Sequence, residues 1–393
     1  MAASSQTMQG SATIRKRRRG LLYTKGGFDM PFFIILLLVL AVGLICLYSA
    51  SYAYAYKWNN KDSYFYIRKQ VEFAIAGLVI MLIVSCFDYE HWHKFAVPLM
   101  GVAVILLLIV RALPAENEVH RWIRFGGVQF QPSEVAKFAL ILLFAHLISL
   151  NHKKMNTFTG GFLPFLVILG VVCGLVFIEP HLSGTILLLS IGLIMMYVGG
   201  TRKAYLGGLV LLGAAAVFVM IFVVGYEQDR IAVWQDPLGV EAKDPGGDAW
   251  QTVQSLYAIG SGGLMGTGLG NGRQKHLFLP EPHNDFIFSV ICEELGLVGA
   301  VLVIGLFALL VWRGFVIGMR AKDKFGSMLA IGLTSQIGVQ ALLNMAVVTN
   351  TMPNTGISLP FFSYGGTSLV MLLFQMGVVL AVSRQSRDAS GQS

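Results

Sequence analysis

Stretches of about 20 mostly apolar residues recur along the whole chain, and no other feature of the sequence constrains the fold as strongly. That length is what an α-helix needs to cross the hydrocarbon core of a bilayer. Only 13% of the 393 residues are charged, whereas soluble domains carry about 25%. The predicted spans are 31–53, 66–87, 95–112, 133–150, 161–178, 182–200, 204–226, 285–312, 326–348 and 364–383. The sequence therefore predicts an all-α, polytopic membrane protein with about ten transmembrane helices.

Basic residues beside the spans orient the chain. The run 15–19 precedes the first span, and the loops that alternation places on the same side carry further lysines and arginines. Such residues favour the cytoplasmic side, so an even number of spans puts both termini in the cytoplasm. Orientation also explains the net charge of +8 without a nucleic-acid partner. The predicted organisation is a basic tail at 1–29, one membrane domain at 30–385 with a large extracytoplasmic loop at 226–284 between spans seven and eight, and a short cytoplasmic tail at 386–393.

Polar residues concentrate on the predicted outer side of the membrane. Four polar segments fall there, at 113–137, 179–185, 226–290 and 353–368, whereas the inner loops are short, basic and otherwise plain. We therefore expect the functional surface to face the outside of the cell.

The glycine-dense segment 260–272 does not indicate a nucleotide site. It matches neither the P-loop pattern nor a glycine motif between a strand and a helix, and it faces away from cytoplasmic ATP. The four cysteines lie in or beside apolar runs without metal-ligand spacing. No metal site is predicted from these residues.

Glu134 and Lys137 lie three residues apart at the start of a predicted span and so share one helix face. One interpretation is a mutually neutralising pair that holds the helix end. The other is a polar cavity just below the outer surface, in which Lys137 is available to an anionic ligand, because ionisable groups within spans usually mark a cavity or a partner.

Asp285 opens the eighth predicted span. An N-cap is the plain interpretation, since Asp is among the preferred residues at that position. Two features favour a functional role instead. Glu293 and Glu294 add more acid than capping needs, and Pro280 and Pro282 fix the approach to Asp285 more rigidly than a helix start requires.

The ninth predicted span carries polar residues at four-residue spacing, namely Gln336, Gln340 and Asn344. Most stripes of this kind in membrane helices hydrogen-bond to neighbouring helices. That is the interpretation we favour here.

An outer site with one accessible carboxylate and several cations suits a lipid-linked diphosphate sugar. Sugar transfer needs a general base for the acceptor hydroxyl, while cations stabilise the departing diphosphate. Glycosidases instead need two carboxylates at a set separation, so the pattern favours transfer over hydrolysis. The candidate cations are Arg121, Arg124, Lys137, Arg273 and Lys275.

Several motifs together resemble those of the SEDS family of bacterial shape, elongation, division and sporulation proteins. They cover about residues 30–385 in matching order. The motifs are Arg121-Trp-Ile123, Phe130-Gln-Pro-Ser-Glu134 with Lys137, Glu179-Pro180 with Gly184-Thr185, Leu279-Pro-Glu281 with Asp285-Phe-Ile-Phe288, Glu293-Glu-Leu-Gly296, Thr355-Gly-Ile357, Leu359-Pro-Phe361 and Ser363-Tyr-Gly-Gly366.

The resemblance implies a ten-span peptidoglycan glycosyltransferase that polymerises lipid II into glycan strands on the outer face of the cytoplasmic membrane. It implies a class B penicillin-binding protein as partner, alongside other cell-division or elongation proteins, and a place at the division septum. The family's essential aspartate falls on Asp285, and its cavity glutamate and lysine fall on Glu134 and Lys137. Details of the 179–183 and 230–237 segments are more similar to the division and sporulation branch than to the elongation branch.

Two positions depart from the family pattern. Glu118-Val-His120 stands where the family usually has Gly-Ala, and His181 replaces a common aspartate. The second change removes a carboxylate that could be proposed as a second base. Asp285, on which the family's essential aspartate falls, is the predicted general base. The predicted reaction inverts the anomeric carbon, and undecaprenyl diphosphate is the leaving group. A divalent cation, Mg²⁺ or Mn²⁺, is the one cofactor considered. The predicted substrate-binding residues are Arg121, Glu134, Lys137, Gln251, Arg273, Lys275, His283 and Ser363.

Two other classes of function also fit a polar site in a membrane protein. One is a transporter that flips lipid II, although secondary transporters often show internal repeats and broken helices near the midplane, and neither is evident in the sequence. The other is a division scaffold without chemistry, which leaves Glu134, Lys137 and Asp285 without a purpose.

Overall fold

The computed structural model describes residues 26–113, 121–125, 128–179, 181–222, 228–244, 246–247 and 249–390. The basic run 15–19, the segment 118–120, Pro180 and the side chain of Arg124 lie outside what is described.

The chain is built of α-helices joined by short connections and one long polar insertion. Within the described ranges, ten helices are long: α1 (Met30–Trp58), α2 (Phe65–Ser85), α3 (Trp92–Ala112), α4 (Pro132–Asn151), α5 (Leu163–Ile178), α6 (Leu182–Gly199), α7 (Lys203–Phe222), α11 (Ile287–Met319), α12 (Lys324–Val348) and α13 (Gly366–Ser390). The insertion holds the shorter helices α8 (Gln228–Gln235), α9 (Pro237–Lys243) and α10 (Trp250–Gly262). A small antiparallel hairpin, β1 (Ile123–Phe125) and β2 (Val128–Phe130), precedes α4.

Eight of the described helices are long and apolar enough to cross a membrane, which confirms the all-α polytopic class. Helix α2 is not among the eight, and it carries Arg68, Lys69 and Glu72 in its first turns. Helix α7 counts only as a shorter apolar helix, over Lys203–Ala215. The ten-span count and the cytoplasmic position of both termini stay predictions.

The helix boundaries follow from local sequence signals. Asp29 caps α1, with its Oδ1 accepting from the N–H of Phe32 at 3.0 Å, and Asp323 caps α12 through the N–H of Gly326 at 2.7 Å. Both are residues that satisfy the unpaired N–H groups of a first turn. Asp29 also accepts a two-pronged ion pair from Arg313, so the beginning of α1 is tied to the end of α11.

Helices α4 and α12 form the centre of the bundle, and both are buried along most of their length. They approach closely because Gly332 presents no side chain. A Cβ there would lie 2.6 Å from Ile141 of α4. Small residues allow this kind of close packing between membrane helices. The centre of the bundle therefore supports the polar end of α4, where Glu134 and Lys137 lie.

Helix α11 is broken near its beginning at Gly296, which has φ of 65°. The segment 262–268 packs into this break, and a Cβ on Gly296 would lie 2.3 Å from the backbone N of Gly266. Backbone groups freed by the break are paired with this segment: Leu297 N–H donates to Gly263, and Gly268 N–H donates to Glu294. The glycine-dense stretch thus belongs to the helix packing.

Candidate active site

The backbone at Asp285 is held from two sides. The side-chain amide of Asn344 on α12 donates to the carbonyl oxygens of Asp285 and Ile357, at 2.7 and 2.6 Å. The hydroxyl of Ser363 donates to the carbonyl of Asn284 at 2.7 Å. Helix α11 begins at Ile287 with Phe286 in the N-cap position, so the N-cap interpretation of Asp285 does not fit the structure.

The carboxylate of Asp285 lines a cavity of about 410 Å³. Its Oδ2 lies against Gly356, whose φ of 65° and missing side chain leave room for it. The walls come from α8, α10, residues 285–286, the segment 354–356 and Arg121, which lies two residues before β1. The lining residues are Arg121, Asp229, Arg230, Val233, Gln251, Thr252, Asp285, Phe286, Asn354, Thr355 and Gly356.

Burial raises the pKa of Asp285 to about 6, with a further increase from Glu281 and an opposing decrease from Arg121. A carboxyl group with that pKa is ionised at neutral pH, yet is a stronger base than an ordinary aspartate. Because general bases work best with a pKa near the operating pH, Asp285 is suited to accept a proton.

Arg121 connects Asp285 with a second polar cluster, formed by Glu134, Lys137, Glu179 and His181. Its guanidinium lowers the pKa of Glu179, although burial has the larger effect and raises that pKa to about 8. Burial, together with Arg121 and Lys137, lowers the pKa of His181 to about 3. The imidazole that replaces the expected aspartate is therefore neutral at physiological pH.

Glu134 and Lys137 form the buried pair that one interpretation expected, with Lys137 Nζ 2.6 Å from Glu134 Oε1. The cluster around the pair also has unused hydrogen-bonding capacity. Among the described residues, no hydrogen-bond partner is found for Glu134 Oε2, Glu179 Oε1 or His181 Nδ1. Buried polar atoms are nearly always paired with protein or water, so this cluster is a place for ordered water or a polar ligand.

The two predicted cations of the long loop do not reach the cavity. Lys275 is completely buried and pairs with Glu294, while its Nζ also donates to Ser49 at 3.0 Å. Arg273 is exposed, and its backbone N–H donates to Glu293 at 2.6 Å. Neither residue lines the space around Asp285, so the prediction that these two residues bind substrate does not fit the geometry.

Of the three other residues predicted to bind substrate from this half of the chain, one lines the cavity and two lie behind its wall. Gln251 lines the cavity. His283 is buried among aromatic rings, 4.2 Å from the ring of Tyr66 and 5.0 Å from that of Tyr54, and burial lowers its pKa to about 4. Ser363 supports the backbone beside Asp285. His283 and Ser363 thus lie behind the cavity wall.

Sequence reasoning missed part of the lining, namely Asp229, Thr252 and Asn354, and it gave Thr355 only as part of a family motif. Arg230, which also lines the cavity, is not among the predicted cations. The packing of α8 against the loop after α12, through Trp234 and Asn350, brings these residues to Asp285. No spacing in the sequence indicates that contact.

The polar stripe on α12 does not take the predicted role of hydrogen-bonding to neighbouring helices. Asn344 and Gln340 donate to the extended segment 357–358, with Gln340 Nε2 3.0 Å from the carbonyl of Ser358. Neither end of the Gln336 amide has a hydrogen-bond partner within the described part of the chain. The stripe thus fastens the segment that carries Gly356 rather than a neighbouring helix.

The fold and the acid-bearing cavity together define a polytopic membrane protein with a polar site at one end of its helix bundle. Residues 29–388 match the model of the FtsW, RodA and SpoVE family, described as cell cycle protein. The chain belongs to this family.

Relatives and solved structures agree with that assignment. The chain is 38% identical over 359 residues to a protein of Trichlorobacter lovleyi named probable peptidoglycan glycosyltransferase FtsW, covering 91% of this chain and 93% of the relative. It is 39% identical to stage V sporulation protein E of Bacillus subtilis, covering 91% and 98%.

Two solved structures share the fold. A chain from a peptidoglycan synthase complex, described as coordinating polymerization and crosslinking, matches with a TM-score of 0.74 and 27% identity, covering 91% of this chain and 98% of the other. The rod shape determining protein RodA of Thermus thermophilus matches with a TM-score of 0.67 and 27% identity, covering 91% and 97%.

Proposed function

We propose that the chain is a peptidoglycan glycosyltransferase that polymerises lipid II at the outer face of the cytoplasmic membrane. One observation carries the proposal: a carboxylate with a pKa of about 6 lines an open polar cavity together with Arg121 and Arg230. A base beside cations is what transfer of a sugar from a diphosphate requires. The names of the relatives support the same activity.

The proposed reaction uses the charged groups in and beside the cavity. Asp285 takes the proton from the sugar 4-hydroxyl of one lipid II molecule. That oxygen attacks the anomeric carbon of the lipid-linked strand end, with inversion, and the bond to the diphosphate breaks. Undecaprenyl diphosphate leaves as an anion, stabilised by Arg121 and Arg230 in the cavity and by Lys137 in the adjacent cluster.

The donor groups in the cavity are compatible with a divalent cation. The described residues contain no cluster of three or more His, Cys, Asp and Glu side chains that could hold a metal. Asp229 and Asp285 nevertheless line one cavity with Asn354 and Thr355, and Mg²⁺ is commonly held by one or two carboxylates plus substrate phosphates. Mg²⁺ or Mn²⁺ bound there with the substrate would neutralise diphosphate charge.

The partner that fits this activity is a class B penicillin-binding protein, which supplies crosslinking. The structural match to a chain of a peptidoglycan synthase complex supports such a partner. The similarity to FtsW and to the sporulation protein favours a role in division or sporulation, with the septum as the site of action.

The direct test is polymerisation of lipid II by purified protein with its partner. Asp285→Asn keeps the shape of the side chain and removes the base, so the rate should fall by roughly 10²- to 10⁴-fold. The matched control is Asp244→Asn, at an exposed position, which should keep the wild-type rate. Polymerisation by the Asp285→Asn protein at the wild-type rate would end the proposal.

The same protein in vesicles with lipid II on one leaflet separates the other two functions. A flippase moves lipid II across the bilayer without forming glycan strands. A scaffold does neither, and in that case the wild-type protein and the Asp285→Asn variant give the same result.

A further inference from the structure

A buried ionic cluster joins the long polar insertion to α1 and α11, and none of its residues lines the cavity. Lys275 and Glu294 pair directly, and the hydroxyl of Ser49 on α1 donates to Glu294 at 2.6 and 2.8 Å while it accepts from Lys275 at 3.0 Å. Lys275 is 0% exposed and Glu294 is 2% exposed. The Lys275 ammonium also lies 4.7 Å from the ring centre of Tyr52. Helix α1, the loop that carries Lys275 and helix α11 therefore meet at one buried ion pair.

The neighbouring glutamate holds the same stretch of chain. Glu293 Oε1 accepts from the backbone N–H groups of Arg273 and Gln274, at 2.6 and 3.2 Å. The carbonyl of Glu293 accepts from both the N–H and the hydroxyl of Thr267. Both acidic side chains of α11 thus fasten the segment that follows the glycine-dense stretch.

The path from Lys275 to Asp285 is short and fixed by hydrogen bonds. Leu279 N–H donates to the carbonyl of Gln274 at 2.8 Å. The Trp250 indole of α10 donates to the carbonyl of Phe278 at 2.7 Å. The Gln251 side chain of the same helix donates to the carbonyl of Pro280 at 3.4 Å and lines the cavity with Asp285, so the segment after Lys275 is joined to the cavity wall through α10.

We infer that Lys275, Glu294 and Ser49 form a latch that positions Asp285, and that Lys275 acts through this latch rather than on substrate. The inference rests on the proposed glycosyltransferase activity. Removing one member of a buried ion pair leaves an uncompensated charge and is strongly destabilising, whereas replacing both members with neutral groups of similar size is often tolerated. A latch therefore predicts rescue by the double variant, and a substrate-binding lysine does not.

The test compares Lys275→Met, Glu294→Gln and the double variant in lipid II polymerisation by full-length protein with its partner. Each single variant should lower kcat at least about tenfold with the KM for lipid II within about twofold, because Asp285 is misplaced while the cavity still binds. The double variant should recover to within about threefold of wild type. Lys243→Met, which removes an exposed charge elsewhere in the loop, should leave the rate unchanged.

Hydrogen exchange over residues 263–286 gives a second readout that does not depend on the reaction. It should rise in each single variant and return toward wild type in the double variant. Ser49→Ala keeps both charges and removes only one hydroxyl, so it should raise exchange over residues 263–286 to a smaller extent.

The outcomes are distinct. A raised KM in Lys275→Met without rescue by Glu294→Gln would overturn the latch and make Lys275 a substrate contact. Unchanged hydrogen exchange in the single variants would also overturn the latch. If wild-type protein does not polymerise lipid II but exchange follows the expected pattern, the proposed function fails and the latch stands.

Discussion

Lys137 and Lys275 are both buried, and both pair with a glutamate, but their surroundings differ. Lys137 lies at the beginning of α4 in a cluster where Glu134, Glu179 and His181 each keep a polar atom without a hydrogen-bond partner among the described residues. Lys275 is enclosed by Glu294, Ser49 and the ring of Tyr52.

The difference separates a lysine that can serve a ligand from one that serves the fold. A fully buried ammonium that is enclosed by a carboxylate, a hydroxyl and an aromatic ring cannot reach a diphosphate in the cavity. A lysine whose partner and neighbours hold spare acceptors lies where water or a polar ligand completes the network. Only packing distinguishes the two, because both residues are lysines near the outer ends of predicted spans.

The largest expected difference between the two lysine–glutamate pairs is in the stability of the protein. Glu294→Gln should destabilise the protein by about 3–5 kcal/mol, since it leaves the Lys275 ammonium buried without its counter-charge. Glu134→Gln should cost clearly less, because polar atoms without hydrogen-bond partners among the described residues lie in the same cluster. Apparent melting temperatures of the purified variants measure this. Equal losses for both would contradict the distinction.

The second effect concerns activity. Lys137→Met should lower kcat/KM for lipid II on the order of 100-fold, or about 2.7 kcal/mol of transition-state stabilisation. Adding Glu134→Gln should not restore it, in contrast to the Lys275 latch. Lys154→Met, at an exposed position beyond the end of α4, serves as the control. Restoration by the double variant would place Lys137 with Lys275 as a purely structural residue.

The third test uses the pH dependence of activity to determine whether Arg121 acts on Asp285. The pKa of Asp285 is raised to about 6, and the base must be deprotonated, so kcat/KM should fall as the pH drops through that range. Arg121 lowers this pKa, so Arg121→Gln should raise it and move the acidic limb to higher pH. Arg68→Gln, an exposed arginine paired with Asp62, should leave the limb in place. If the acidic limb of the pH profile stays in place in Arg121→Gln, Arg121 does not influence the pKa of Asp285.

The smallest expected effect is that of Ser49→Ala. It removes one neutral hydroxyl and leaves the Lys275–Glu294 pair intact, so stability should fall by about 1 kcal/mol. Thermal unfolding beside Ser386→Ala, a partly exposed serine near the end of α13, measures the difference. A loss as large as that of Glu294→Gln would mean that Ser49, not the ion pair, is the main contact of the latch.

Much of the fold is readable from the sequence, because apolar length alone indicates where helices cross a bilayer. The ten predicted spans each correspond to a long helix, and the membership of the family is carried by motifs such as 130–137 and 279–288. The three short helices α8, α9 and α10 were not predicted. Their polar sequence resembles a loop, and their positions depend on contacts such as that between Trp234 and Asn350.

The candidate site was partly predictable for the same reason. Asp285, Arg121 and Gln251 line one cavity, and Glu134 and Lys137 lie in the adjoining cluster. Arg273 and Lys275 were assigned from charge and loop position alone, which do not reveal whether a side chain points into a cavity or into the packed interior. Asp229 and Thr252 come to the cavity through tertiary contacts that no local pattern encodes.

The break at Gly296 leaves a long, continuous part of α11 after it. Residues 297–319 beyond the break form a helix of about 23 residues, roughly 35 Å at 1.5 Å per residue, which by itself exceeds the thickness of a hydrocarbon core of about 30 Å. The short stretch before Gly296 is therefore not needed for α11 to cross a bilayer. Its two carboxylates, Glu293 and Glu294, are buried within the protein and bind backbone N–H groups and Lys275, so neither carboxylate faces lipid.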